Sequence, residues 1–135
     1  MKRLAGLTLI VTLVLAVTAL ASSQVRFAGA NPTAKQQVRP SQLALSGDGT
    51  LDVFGVTWGA WGGPQATGSG TAEYHGCTPN CAEAKVHHAP VAITLSNIRT
   101  CKGAQYYTHV ALKERSGQLL DARFLRISWN PCASG

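Results

Sequence analysis

Ala66, Gly68, Gly70 and Ala72 occupy every second position of the stretch A-T-G-S-G-T-A-E-Y-H. Alternation at period two is the pattern of a strand. One face of this strand carries nothing larger than a methyl group over those four positions. Such a face builds no core alone, but it lets another backbone or a large ring come close. Trp58 and Trp61 lie just upstream, followed by the chain-breaking Gly62-Gly63-Pro64. The sequence therefore predicts a strand over 66–75 packed under an indole from Trp58 or Trp61.

Four further strands are expected around it. Residues 50–58 are rich in β-branched and aromatic types, with Phe54, Val56 and Trp58 predicted on one face. Ser46-Gly47-Asp48-Gly49 before them is a turn signal. Residues 85–95 alternate cleanly at Val91, Ile93 and Leu95. Pro90 cannot donate to a ladder, which places that strand at an edge or on a bulge. Residues 105–113 put Tyr106, Thr108, Val110 and Leu112 on one face. Ser116-Gly117 is a turn, and residues 119–129 form the last strand. Five or six short strands with turns between them predict an all-β fold, a small antiparallel sandwich or barrel.

The start of the chain has a different character. Lys2 and Arg3 precede an uncharged apolar run, and Ala19-Leu20-Ala21 supplies small residues at a cleavage site. That is a secretory signal peptide over 1–21. Its removal leaves no membrane span, and a secreted, extracellular location follows. Residues 22–42 are polar, contain Pro32 and Pro40 and show no periodicity, as expected of a flexible N-terminal arm. The β domain is expected over 43–135. The net charge of +6 includes Lys2 and Arg3, and the other basic residues are scattered. With no basic patch, nucleic-acid binding is not expected.

Four cysteines behind a signal peptide imply disulfides. If the last two strands pair about Ser116-Gly117, Cys101 and Cys132 are opposed across the open end of that hairpin. Cys77 and Cys81 then clip the C-T-P-N-C turn. In the chain-entropy model the longer loop contributes roughly 3.5 kcal/mol and the shorter about 2. The rival use of these residues is metal binding by His75, Cys77, Cys81, His87 and His88. An oxidising compartment favours the disulfide, and no metal or other cofactor is expected.

No catalytic motif is present. Ser69 and Ser128, the histidines 75, 87, 88 and 109, and Asp48, Asp52 and Glu73 are the raw material for a triad, but none sits in a recognised signature. A binding role points instead to aromatic platforms. Trp58 and Trp61 are three apart, so a continuous strand puts them on opposite faces: either one lies in the core and the other stacks on a sugar or a partner's side chain, or both are buried against the small-residue strand. Tyr106 and Tyr107 divide in the same way. These four are the candidate binding residues.

The run W-x2-W, A-T-G-x-G, C-T-P-N-C-A and P-V-x-I-T-L resembles an uncharacterised family of small secreted actinobacterial proteins, over about residues 43–112. The resemblance implies a location and a domain type rather than a chemistry. Relatives often carry Gly where this chain has Ala84, and many carry Cys near the position of Ser46. The second departure, beside Cys132, implies a different disulfide pattern. The expectation is a secreted, monomeric, non-enzymatic β domain, binding or structural, whose partner is a protein or a cell-wall polysaccharide. The alternative is a secreted hydrolase, or an inhibitor of one, built on the Cys77–Cys81 loop.

Overall fold

The computed structural model describes residues 24–29, 38–76, 79–80, 82–115 and 126–132. The expected signal peptide, Cys77 and Cys81 with their clip, and most of the last predicted strand lie outside these residues. The described chain forms one antiparallel meander, curled into a half-barrel. Its strands are β1 (Leu43–Ala44), β2 (Leu51–Ala60), β3 (Ala66–His75), β4 (Val86–Cys101), β5 (Ala104–Glu114) and β6 (Arg126–Ser128). They are ordered as they occur in the sequence. There is no helix among the described residues.

The concave face holds the core: Leu51 and Val53 of β2, Ala66 and Ala72 of β3, Val91, Ile93 and Leu95 of β4, and Tyr107, Val110 and Leu112 of β5. The small-residue strand behaves as predicted. The Trp58 indole lies over Gly68, where a Cβ would meet Trp58 Cε3 at 2.9 Å and the Thr57 carbonyl oxygen at 2.6 Å. Gly70 is crossed just as closely by the Phe54 carbonyl and the Val53 side chain.

Two bulges in β2 correct the expected facing of its side chains. Gly55, at φ +60°, and Val56 together oppose the single residue Gly70. An extra residue reverses the alternation beyond it. Val56 is therefore buried, whereas Phe54 is 38% exposed on the outer face. A second shift lies between Trp58 and Ala60. It reverses the alternation again and brings Trp61 to the side of Trp58.

Pro90 does not mark an edge, because β4 is paired on both sides. Its carbonyl accepts from Arg115 N at 3.0 Å, just past the last β4–β5 pair, Val91 with Glu114. The missing N–H thus falls where β5 is ending and breaks no ladder bond.

The folded part also begins before Leu43. Val25 and Phe27, within the stretch expected to be a flexible arm, are buried in the core. Arg26 forms a short parallel bridge with β5, donating to the Gln105 carbonyl at 2.8 Å and accepting from Tyr107 N at 3.1 Å. Phe27 meets Trp129 edge to face, with centroids 5.1 Å apart.

Cys101 and Cys132 are joined, with Cα atoms 5.5 Å apart. The register that brings them together differs from the one used to expect it. His109 pairs with Ser128 and Val110 with Ile127, a shift of four from the hairpin geometry centred on Ser116-Gly117. Cys101 closes the tight β4–β5 hairpin opposite Ala104, and the disulfide ties that hairpin to the segment after β6.

Candidate functional site

The predicted aromatic platform is a scaffold. Trp58 and Trp61 are half-buried and in edge contact, with centroids 4.6 Å apart. Trp58 Nε1 donates to the Pro40 carbonyl and Trp61 Nε1 to the Val25 carbonyl, both at 2.9 Å. Trp61 in turn packs edge-on to Tyr107 at 5.4 Å. Tyr106 and Tyr107 are both buried, and do not divide between core and solvent as their adjacency suggested. Each indole N–H is therefore spent on a backbone carbonyl, fastening the segments at Val25 and Pro40 to the end of β2.

Tyr107 fastens a loop. Its hydroxyl accepts from Gly62 N at 3.0 Å and donates to the Gly63 carbonyl at 2.8 Å. Burial raises its pKa, opposed by the Gly62 N–H. A raised phenol pKa means the stabilising protonated form is fully present below the ordinary value near 10 and is lost only as pH rises through the higher folded value. Tyr107→Phe is expected to cost about 1–2 kcal/mol. Hydrogen exchange at Gly62 N–H measures the accompanying loosening of the loop.

That loop opens a cleft. The β3–β4 ladder ends at Ala66 opposite Leu95, yet β4 continues beside β5 to Cys101. Residues 62–65 peel away toward Tyr107, and the fork between them and β4 holds a cleft of about 660 Å³. Gln65, Ser96, Asn97 and Gln105 supply polar groups to its wall, and Val25, Pro64 and Ile98 supply apolar surface. Among the described residues no ionisable side chain lines it. Sequence reasoning missed this wall. Asn97 is its one local signal, since asparagine tolerates the left-handed conformation it adopts at φ 56°. That turn carries the Asn97 carbonyl to the buried Thr108 hydroxyl, which donates to it at 2.7 Å.

The histidines do not converge. Tyr74 and His87 stack, with centroids 4.9 Å apart. His75 and His88 lie on the other face, flanking Glu73 at 3.8 and 3.7 Å. Consecutive strand residues point to opposite faces, so His87 and His88 cannot share an ion with both rings. Among the described residues no three His, Cys, Asp or Glu side chains are placed to hold a metal. His109 has the Asn97 amide and the Thr108 hydroxyl as neighbours of Nδ1, not a carboxylate. Ser69 contacts Thr57, with the two hydroxyl oxygens 3.4 Å apart.

Asp52 sits beside Glu73 across the β2–β3 ladder. One of its carboxylate oxygens is buried with no hydrogen-bond partner among the described residues. Desolvation, then the Glu73 charge, raises its pKa, while His75 and the Leu45 N–H act in the opposite direction. A raised carboxyl pKa means stability is greatest below the ordinary value and falls as pH rises through the folded value. Asp52→Asn should therefore gain about 0.5 kcal/mol at neutral pH, a modest figure because the group is partly exposed and screened. Denaturation at pH 3, where Asp52 is neutral, should show almost no difference between variant and wild type.

Comparison with protein-family models, curated proteins and solved structures finds no match to this chain.

Proposed function

We propose that this protein is a secreted, non-enzymatic binding domain of the cell envelope, and that the cleft between loop 62–65 and β4 seats its ligand. The observation that carries this reading is the chemistry of the cleft wall. Amides and a hydroxyl that both donate and accept, set among apolar patches with no charged group among the described lining residues, suit an uncharged, hydroxyl-rich ligand. A neutral cell-wall polysaccharide is the leading candidate. The disulfide supports an oxidising location, and no helix among the described residues is long and apolar enough to cross a membrane. The hydrolase or inhibitor alternative rests on the Cys77–Cys81 loop, and nothing described favours it.

Co-sedimentation with insoluble cell-wall polysaccharide tests the proposal. Wild-type protein is expected in the pellet. Gln65→Ala, at an exposed cleft residue, should bind about fivefold to tenfold more weakly, the loss of roughly one hydrogen bond, with its melting temperature unchanged. Release of soluble sugar during the incubation would contradict the non-enzymatic reading.

A further inference from the structure

Asn97 also lines a second, smaller cleft, of about 300 Å³, whose chemistry is unlike the first. The other residues around it are Arg99, Thr108, His109, Ser128, Trp129 and Asn130, contributed by β4, β5, β6 and the turn after β6. Among the described residues no carboxylate lines this cleft, and those that do are cationic or neutral.

The hydrogen bonds already made within this group decide what it can offer a ligand. Asn97 Nδ2 lies 3.0 Å from His109 Nδ1. An amide nitrogen only donates, so Nδ1 accepts and the ring proton is left on Nε2. The Thr108 hydroxyl spends its proton on the Asn97 carbonyl. Asn130 Oδ1 accepts from Cys132 N at 3.0 Å, which leaves the Asn130 amide N–H groups available. Arg99 is exposed and can only donate. Trp129 carries an indole N–H that is buried with no acceptor among the described residues, and a buried N–H left unpaired is costly. His109 and Asn130 have thus spent an acceptor each on internal bonds and keep their N–H donors, beside a guanidinium.

We infer that this second cleft binds an oxyanion: a phosphate, sulfate or carboxylate group held by the Arg99 guanidinium, His109 Nε2–H, the Ser128 hydroxyl and the Asn130 amide. The inference is independent of the neutral cleft, because, Asn97 apart, it rests on different residues and a different chemistry. Arg99 supplies the charge-assisted bonds, which are roughly twice as strong as neutral ones. His109 and Ser128 are register partners on adjacent strands, so their spacing is set by the sheet and needs little ordering on binding.

The test titrates the full secreted protein with sodium phosphate, sodium sulfate and sodium acetate in separate arms at pH 7 and constant ionic strength. Nitrogen-15 and proton NMR follow His109 and the Trp129 indole. The free protein is expected to show the Nε2–H tautomer at His109. At least one anion should shift His109 saturably, and the arm that saturates at the lowest concentration identifies phosphate, sulfate or carboxylate as the group. Arg99→Gln should weaken that binding about tenfold while keeping the fold. Lys113→Gln removes one positive charge from an exposed position on β5, the strand of His109, and should leave binding unchanged. Linear, unsaturated shifts in every arm would overturn the inference. Equal losses in Arg99→Gln and Lys113→Gln would also overturn it, because net charge alone would then explain the effect.

Discussion

Alanine at Gly68 is expected to destabilise the domain by about 3 kcal/mol or more, a large part of the 5–15 kcal/mol that holds a domain of this size together. The new methyl would sit 2.6 Å from the Thr57 carbonyl oxygen and 2.9 Å from Trp58 Cε3. The nearer contact is backbone, paired across the β2–β3 ladder, so it cannot move aside by a rotamer change. Shrinking the indole with Trp58→Leu should therefore fail to rescue Gly68→Ala. Gly59 is the control. It lies in β2, and an added Cβ there meets nothing closer than the Thr67 carbonyl at 3.8 Å. Gly59→Ala should fall within about 0.5 kcal/mol of wild type, the range of ordinary surface changes. Urea denaturation of the four variants reads the contrast directly. Similar midpoints for Gly68→Ala and Gly59→Ala would show that the chain does not cross Gly68 this closely.

The paired change Cys101→Ser and Cys132→Ser carries the next largest effect. The bond closes a separation of 31 residues, for which the chain-entropy model gives about 3.5 kcal/mol. The cost is expected mainly through the unfolded state, so spectra of the native variant should keep the β signature while the denaturation midpoint falls. Both cysteines are replaced together so that no lone thiol is left to exchange with Cys77 or Cys81. An unchanged midpoint would contradict the account.

Much of the fold was legible because period two survives wherever the ladder is regular. The strand over 66–75 matches its predicted bounds, and Val91, Ile93 and Leu95 face the core as their alternation required. The misreadings have local causes. Gly55 and the shift at Trp58–Ala60 each insert a residue, so facing inferred from an unbroken count failed for Phe54 and Trp61. Val25 and Phe27 are apolar residues in a polar stretch, too few to show a period, and a long-range pairing with β5 recruits them. The candidate site was the least legible. Its walls come from a loop, a strand extension and the N-terminal segment, brought together by Tyr107 across 44 residues. The residues that attracted notice by size, Trp58 and Trp61, fasten the Pro40 and Val25 segments and are not among the residues lining the cleft.

The most direct test of that view is a proton–nitrogen map of the protein titrated with a soluble fragment of neutral cell-wall polysaccharide. Binding in the cleft predicts shifts centred on the backbone amides of Gly62, Gly63 and Gln65 and of Ser96 to Ile98. The Trp58 indole N–H, bonded to Pro40 on the core side, should stay in place. Shifts centred on the outer face around Glu73 and His88, or no shifts at all, would contradict the assignment of the cleft as the ligand's seat.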